Sequence, residues 1–419
     1  MHYRLEKAFD CHEKCLHTYV SAGIIPDNTQ NETLEEKFGR ISVNEPHNND
    51  NQIDDDNDAI VKLQQPLPIQ FAPLSAKDQA KAVVFEKCRQ TEPLPFSECY
   101  PDSILQNCFK IGEGVYGEVF QFRGENGKPT VMKIIPIEGD QLVNGEVQKK
   151  FEEIMTEIVI AMELSSLRNN NTNITNTFSE LQRVRCVKGR WPARLLDLWD
   201  LYDEDRKSEN DSPEIFGEDQ LYITLELANG GRDLEAFGFT NALQAFSVFQ
   251  QVSCALAVAE ESLEFEHRDL HWGNVLVSIV DHDKTVSFVL NGKNITLETY
   301  GVEASIIDFT LSRITKSNCC IFTDVSNDLE LFTAEGDYQF EIYRLMKKRN
   351  GNEWEHFEPY TNVLWLHYLL DKAVTALRYR STKSKLHKEY IRKLRNIKDV
   401  ILEYTSVKDY VINNFQFTF

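Results

Sequence analysis

The sequence feature that most constrains this chain is the octapeptide His267–Asn274, which reads HRDLHWGN. It fits the pattern H-R-D-L-x-x-x-N, in which the aspartate accepts the proton of a substrate hydroxyl and the asparagine binds a metal ion. Asn274 lies five positions after Asp269, so one tight loop can hold a base and a metal ligand beside the same phosphoryl group. Because eight residues can match a pattern by chance, the inference requires the other parts of such a site at suitable distances.

The composition is that of a large, acidic, globular chain. Its 419 residues, of which 42% are hydrophobic, suffice for more than one domain. The formal net charge of −21 disfavours nonspecific binding to DNA or anionic membranes and favours cationic partners, although acidity can also serve solubility alone. The sequence has nine cysteines without a C-x-x-C pair, no apolar leader and no apolar run of about 20 residues. These features predict a soluble intracellular protein that spans no membrane.

The first part of the chain differs in character from the rest. Residues 1–73 are predicted to form an acidic, partly disordered extension, because residues 44–58 are rich in Asn and Asp and residues 65–69 are typical of an extended linker. Four potential metal ligands lie near the start: Cys11, His12, Cys15 and His17. Their spacing matches no usual zinc motif, and a helical first segment explains them equally well.

Residues 74–419 are predicted to form the folded domain, of class α+β. Segments rich in β-forming residues and bounded by turn signals predict strands at residues 115–122, 130–137, 221–227, 285–290, 295–299 and 305–307. Apolar residues at helical period predict helices at residues 148–167, 242–261 and 378–398. The last helix is unusually basic and could bind an acidic partner. Its apolar positions Leu386, Tyr390, Ile391 and Leu394 favour instead a half-buried helix with a solvated charged face.

A glycine-rich segment precedes the first predicted hairpin and carries the motif G-x-G-x-x-G-x-V. Glycines allow a backbone to approach phosphates closely and to present N–H donors. A dinucleotide-binding turn would require a helix to begin at the glycines, whereas residues 118–122 continue as a strand. The residues predicted to contact the nucleotide here are Ile111, Gly112, Glu113, Gly114, Val115, Gly117 and Val119.

Two further elements complete the predicted site. Lys133, sixteen residues after Gly117, lies on a strand where it can neutralise phosphates if a helix carboxylate holds it. Of the glutamates at positions 152, 153, 157 and 163, Glu157 is the best partner because it lies among inward-facing apolar residues. Asp308 follows a short apolar strand in the manner of the metal-binding D-F-G motif, with Thr310 in place of the glycine, which should make the segment stiffer.

These elements occur in the order, and at the spacings, that a phosphotransfer site requires. Together they predict a bilobal, protein-kinase-like fold that uses ATP and Mg²⁺. The β-rich N-lobe would span about residues 74–227 and the mainly helical C-lobe about residues 231–419. His271 replaces the usual lysine and no A-P-E follows, so small-molecule kinases related to aminoglycoside and choline phosphotransferases are the alternative. Arg268, the glycine-rich loop and Lys133 favour a protein kinase. A catalytically silent scaffold is the non-enzyme alternative, which the filled catalytic positions disfavour.

The sequence resembles the haspin family of atypical protein kinases over about residues 74–415. The resemblance is carried by residues 111–120, 137–145, 230–235, 267–276, 307–313, 336–346 and 362–368. Phe309 stands where the family commonly has tyrosine. The resemblance implies a nuclear serine/threonine kinase, on chromosomes in mitosis and with a cytoplasmic pool allowed, that phosphorylates a threonine near the N-terminus of histone H3. It also implies an activation segment that is ordered without phosphorylation. We expect a monomer without direct sequence-specific nucleic-acid binding.

The resemblance also implies roles for individual residues. Catalytic roles fall to Lys133, Glu157, Asp269 and His271, and metal binding to Asn274 and Asp308. The adenine would lie against a hinge at residues 227–230, and the nucleotide-binding residues of this region are Glu226, Leu227, Ala228, Gly230 and Asp233.

A basic histone tail requires carboxylates in the cleft that reads it. The positions that match the acidic substrate surface of the family are Glu113, Asp233, Glu235, Asp328 and Glu330, to which Asp337 and His271 are added. Surface carboxylates are, however, abundant in a chain of this charge.

Overall fold

A computed structural model of the chain describes residues 75–124 and 127–418. The predicted extension of residues 1–73, with its cysteine and histidine cluster, lies outside these ranges. So do Glu125 and Asn126 of the predicted turn.

The first half of the described chain is a six-stranded sheet with helices on both faces. Its strands are β1 (Leu94–Pro95), β2 (Phe109–Gly114), β3 (Gly117–Arg123), β4 (Pro129–Ile137), β5 (Leu181–Lys188) and β6 (Leu221–Ala228). Their order in the sheet is β1-β5-β6-β4-β3-β2, in which β1 and β5 are parallel and all other neighbours antiparallel. The helices are α1 (Ala76–Cys88), α2 (Phe96–Cys99), α3 (Asp102–Leu105), α4 (Phe151–Ser166) and α5 (Ala193–Arg206).

Strand β4 shows why the sheet needs cover on both faces, since successive side chains of a strand point to opposite sides. Met132 and Ile134 join a cluster that contains Phe96, Tyr100, Phe120, Trp191 and Tyr222. Ile135 and Ile137 join the main core, which contains the apolar residues of α1 and α4. Lys133 lies between these two sets and shares the face of Ile135, so the strand directs it towards α4.

The second half is mainly helical. Its helices are α6 (Ala242–Leu263), α7 (Leu329–Thr333), α8 (Tyr338–Arg349), α9 (Tyr360–Thr375), α10 (Lys385–Val400) and α11 (Val407–Asn414). Its short strands are β7 (Arg232–Asp233), β8 (Gly238–Phe239), β9 (Val275–Ile279), β10 (Thr285–Leu290), β11 (Lys293–Glu298), β12 (Val302–Ile306), β13 (Arg313–Lys316), β14 (Cys319–Phe322) and β15 (Arg378–Tyr379). Four 3₁₀ segments occur at Leu167–Asn169, Pro213–Ile215, Trp272–Asn274 and Ile401–Glu403. The predicted α+β architecture, β-rich and then helical, is confirmed.

Helix α6 is the core helix of this half, as predicted. Among the described residues it is the one helix whose length and composition would allow it to cross a membrane, but 78% of its apolar window is buried inside the structure. The residues from Val252 to Ala259 are fully enclosed. The apolarity of α6 therefore reflects its packing against β12, α9, α10 and α11.

The predicted hairpin at residues 285–299 is confirmed, whereas one predicted helix begins later than expected. Strands β10 and β11 pair residue for residue, and Asn291 and Gly292 form the turn with positive φ angles of 52° and 74°. The helix predicted from residue 378 was wrong at its start: Arg378 and Tyr379 pair with β8. The helix begins at Lys385, where the side chain of Ser384 accepts a hydrogen bond from the His387 amide.

We predict that Gly231→Ala destabilises the fold. Gly231 has a φ of +97°, and a Cβ atom there would lie 2.1 Å from the carbonyl oxygen of Val277 in β9. The strain and the clash with backbone should lower the free energy of unfolding by about 2 kcal/mol or more, measured as a lower midpoint of thermal unfolding. Gly217→Ala is the matched control, because no atom lies within 4 Å of a Cβ at that position. Equal midpoints for the two variants would contradict the prediction.

Candidate active site

The predicted catalytic residues meet between the sheet and the helical half. The Lys133 Nζ atom lies 2.9 Å from Glu157 Oε1 and 3.5 Å from Asp308 Oδ2. The side-chain amide of Asn274 donates to the backbone carbonyl of Asp269 at 2.8 Å. The Ile307 amide, next to Asp308, donates to the Asn274 carbonyl at 3.0 Å and joins these two sets of contacts.

Glu157 is a buried carboxylate that binds two lysines. Its Oε1 accepts from Lys133, and its Oε2 accepts from Lys149 at 2.7 Å. Burial opposes ionisation, but the two lysines outweigh it and lower the pKa of Glu157 to about 2. Lys149 was missed by the sequence reasoning. It lies before the first turn of α4, outside the helical period, and no local pattern marks it.

Asp308 is held in an ionised state at the end of β12. Burial raises its pKa, but Lys133 and hydrogen bonds from Thr310 reverse the effect and hold the pKa well below its ordinary value. Its φ of 61° lies in the left-handed region that aspartate tolerates better than most residues. The following Phe309 is buried against the rings of Phe178, Phe265 and His267, which fixes the segment.

His267 joins the octapeptide to the strand that carries Asp308. The Asp269 amide donates to His267 Nδ1 at 3.3 Å, so the ring proton resides on Nε2, which donates to the Ile307 carbonyl at 3.1 Å. Burial lowers the pKa of His267 to about 4. A neutral histidine therefore links the loop that carries Asp269 to the strand that leads to Asp308.

Asp269 has an environment unlike that of Asp308. Its Oδ1 accepts a short hydrogen bond from the Tyr343 hydroxyl, and its Oδ2 lies 3.5 Å from the Asn274 amide nitrogen. Burial raises the pKa of Asp269 to about 8; the negative charge of Asp308 acts in the same direction, and the bond from Tyr343 acts against it. The carboxyl groups of Asp269 and Asp308 thus lie in one site, where Lys133 compensates mainly the charge of Asp308. A further cation bound there would favour the ionised form of both groups.

The side chains present fit a magnesium ion. Asn274 donates through Nδ2, and no described residue donates to its Oδ1, which remains an acceptor beside the ionised Asp308. Mg²⁺ prefers oxygen ligands and usually takes only one or two from the protein, with the rest from phosphates and water. Consistent with that, no group of three His, Cys, Asp or Glu side chains in the described ranges could hold a metal ion.

Arg268 is buried and bound by a carboxylate of its own chain. Its Nε and Nη2 atoms donate to Glu266 at 3.2 Å and 3.0 Å, and Nη2 also donates to the Trp354 carbonyl. Glu266 is completely buried and accepts from Thr361 Oγ1 and from the Glu358 amide as well. This network ties the octapeptide to the segment before α9 without an external anion.

The glycine-rich loop is held from outside by Asn210, which follows α5, and by Asn144, which precedes α4. The side-chain amide of Asn210 donates to the Gly114 carbonyl at 3.1 Å and to Glu118 Oε1 at 2.8 Å. The side-chain amide of Asn144 donates to the Val115 carbonyl at 2.8 Å. No local pattern indicates these contacts, because they join segments that are far apart along the chain.

Glu113 already has partners within its own chain. It was predicted to bind both nucleotide and substrate, but its carboxylate accepts from Lys110 and Ser208 at 2.6 Å each and from the Glu209 amide at 3.0 Å. These contacts lower its pKa although burial acts in the opposite direction. The side chain of Glu113 therefore fixes the loop, and its charge is already compensated.

The hinge residues divide between the two faces of the sheet. The Glu226 carboxylate accepts from Tyr100 at 3.1 Å and from Arg185 at 3.2 Å, so this side chain faces a cavity of about 960 Å³ behind the hinge and not Lys133. A nucleotide can meet Glu226 only through its backbone. Leu227 and Ala228 are half-buried, and the Ala228 amide donates to the Glu180 carbonyl. Gly230 packs so closely against β12 that a Cβ atom would lie 2.8 Å from Ser305.

The residues predicted to read the substrate differ in how much charge they offer. Glu235, Asp328 and Glu330 are exposed, and none of them forms an ion pair with a described residue. Asp337 forms an ion pair with Lys372 and caps α8, so much of its charge is compensated. Asp233 accepts from the Ala236 amide at 2.7 Å.

His271 faces two of these acids. Burial lowers its pKa, while the charges of Asp308, Asp337 and Asp233 act to raise it. Its Nδ1 accepts from the Gly273 amide at 3.0 Å, so the ring is turned onto its own loop. The octapeptide therefore presents the imidazole of His271 to a substrate. Burial opposes protonation of this ring, whereas the charges of Asp337 and Asp233 favour it.

Comparison with known proteins decides the family. The profile of the Haspin like kinase domain matches residues 12–413. The chain is 44% identical over 329 residues to the serine/threonine-protein kinase haspin homolog of Drosophila melanogaster, a match that covers 77% of this chain and 58% of that protein. It is 47% identical to mouse haspin, over 78% of this chain and 43% of that protein. The Arabidopsis thaliana homolog is 40% identical over 81% of this chain and 55% of its own length.

The chain belongs to the haspin kinase family. It therefore has the bilobal kinase fold of that family. Haspin membership implies use of ATP and usually of a divalent metal. The chain spans about half the length of the curated relatives it matches. The profile match begins at residue 12, upstream of the described residues, and the domain boundaries stay predictions.

We predict that Lys149→Met lowers kcat/KM for ATP about tenfold. The variant removes one of the two lysines on Glu157 and the ammonium group that lies 4.9 Å from the ring centroid of Tyr116 in the glycine-rich loop. Steady-state kinetics at varied ATP would measure the loss. Lys150→Met is the matched control, since the neighbouring Lys150 forms no ion pair with a described residue. Similar rates for the two variants would remove Lys149 from the site.

Proposed function

We propose that this haspin-family kinase transfers the γ-phosphoryl group of ATP, bound with Mg²⁺, to a threonine near the N-terminus of histone H3. The observation that carries the proposal is the site formed by Lys133, Glu157, Asp308, Asn274 and Asp269. Exposed acids without ion pairs among the described residues support the choice of a basic substrate. The histone substrate comes from the family resemblance. We place the reaction in the nucleus, on chromosomes during mitosis, on the same ground, and the protein acts as a monomer.

The residues of the chain supply position and charge. Lys133 binds the phosphates of ATP, and Glu157 keeps its ammonium group in place. When bound, Mg²⁺ would lie on Asn274 and Asp308 and neutralise charge on the phosphates. The threonine hydroxyl attacks the γ-phosphorus, the bond to the leaving ADP oxygen breaks, and Asp269 takes the hydroxyl proton. Little covalent chemistry is asked of the protein, so the rate depends on these fixed positions.

The exposed acids account for the choice of a basic peptide. Asp328 and Glu330 lie at the start of α7, after the segment that carries Asp308, and Glu235 follows the hinge. Carboxylates without partners attract arginine and lysine side chains and disfavour acidic peptides. Asp233 and Asp337 sit closer to His271 and would act on the residues next to the acceptor threonine.

We predict that Asp269→Asn abolishes phosphate transfer to a histone H3 tail peptide while ATP binding survives. The amide keeps the shape of the side chain but cannot take the hydroxyl proton, which should lower kcat by about 100-fold or more. Radiolabelled ATP with the peptide measures transfer, and titration calorimetry measures nucleotide binding. Asp283→Asn, at an exposed aspartate on the turn before β10, is the matched control. Full activity of the Asp269 variant would exclude its role as the base.

The same assay separates the substrate alternatives. A kinase for small amino alcohols would label those compounds and ignore the H3 peptide, and a silent scaffold would label neither. Either result with the wild-type chain would contradict the proposed function.

We predict that Asp328→Lys combined with Glu330→Lys raises KM for the H3 peptide about tenfold and leaves KM for ATP unchanged. The effect should shrink as salt is added, because the charges are exposed. Asp281→Lys with Asp283→Lys is the matched control, with the same charge change and spacing on another exposed turn. Asp328 caps α7, so Asp328→Asn with Glu330→Gln, which keeps a capping side chain, checks that the effect is one of charge. An unchanged KM for the peptide would argue against the acidic surface.

A further inference from the structure

We propose that Tyr343 is a positioning residue for phosphoryl transfer, because its hydroxyl fixes the Asp269 carboxylate and leaves Oδ2 for the substrate hydroxyl. The inference rests on the role proposed above for Asp269. Tyr343 lies in α8, 74 positions away from Asp269 along the chain. Tyr343 lies within residues 336–346, which carry the family resemblance, but no sequence motif gives it a role.

The first support is the hydrogen bonding of Asp269. The Tyr343 hydroxyl donates to Oδ1, and this is the only short hydrogen bond to that carboxylate from a described residue. The other contact, from Asn274 to Oδ2, is 3.5 Å long, at the limit of a hydrogen bond. His271, two positions after Asp269, is turned onto the Gly273 amide and gives no bond to it. Tyr343 therefore supplies the orientation that the octapeptide itself lacks.

The second support is that Tyr343 cannot easily move. Only 4% of the residue is exposed, and its ring packs edge-on against Trp365 with ring centroids 5.4 Å apart. Trp365 is completely buried in α9. A donor that is fixed in this way restricts the torsion of the aspartate side chain.

The third support is the chemistry of the donor. A phenol hydroxyl is neutral at the pH of the cell and donates one proton to one oxygen. It can orient the carboxylate without placing a positive charge between the base and the incoming hydroxyl. The two carboxylate oxygens then differ in role, because the protein binds Oδ1 and leaves Oδ2 for the substrate.

The test is Tyr343→Phe, which removes a single oxygen atom. We expect kcat for peptide phosphorylation to fall about 10- to 100-fold, as for the loss of one hydrogen bond to a charged group, with KM for ATP and peptide within about twofold of wild type. The midpoint of thermal unfolding should stay unchanged. Tyr338→Phe is the matched control on the same helix, because its hydroxyl contacts His367 and not Asp269.

A rescue experiment separates positioning from packing. Incorporation of 4-aminophenylalanine at position 343 restores an N–H donor at the same place on the ring and should recover most of the lost kcat. A wild-type kcat for Tyr343→Phe, an equal fall for Tyr338→Phe, or no recovery with the amino analogue would overturn the inference. If the wild-type chain does not phosphorylate the H3 peptide, the proposed substrate fails, and the same comparison is then made with a peptide that the wild-type chain does phosphorylate.

Discussion

The buried carboxylate of Glu157 is the contact on which the site depends, since it holds two lysines that come from different segments. Lys133 reaches it from β4 and Lys149 from the segment before α4 that bridges to Ile137, while Lys133 also lies 3.5 Å from Asp308 of the helical half. Buried charges are costly unless they are paired, so removal of any one of them leaves the others uncompensated. One ionic group therefore fixes the sheet, α4 and the segment that carries Asp308 relative to one another.

The helical half contains a second buried ionic group with a similar effect. Glu266 binds Arg268 within the octapeptide and also accepts from Thr361 and the Glu358 amide. An arginine next to the predicted base could otherwise pair with a phosphorylated residue, as activation segments often require. Because its own chain already supplies the carboxylate, the structure offers a physical reason for the proposed order without phosphorylation.

Local patterns in the sequence were enough to predict contacts between residues that are each held in place by one strand, helix or loop. Alternation along β4 and the helical period of α4 paired Lys133 with Glu157, and the spacing within the octapeptide joined Asp269 to Asn274. Lys149 and Tyr343 could not be found in this way, since the first precedes its helix and the second belongs to a helix distant in sequence. The contacts of Glu113 with Ser208 and Glu209 could not be predicted for a related reason, since these partners lie in a loop nearly a hundred positions away.

Several contacts that hold the site have one property in common, which is that each fixes a part that could otherwise move. Thr310, whose stiffening effect the sequence predicts, adds hydrogen bonds to Asp308, and Asn210 holds the carbonyl of Gly114 in the glycine-rich loop. Tyr343 does the same for Asp269. What the site still lacks is positive charge near Asp269 and Asp308, together with partners for the exposed acids. The reactants of the proposed function, metal-bound ATP and a basic peptide, would supply both, so the proposed reaction asks for little rearrangement of these residues.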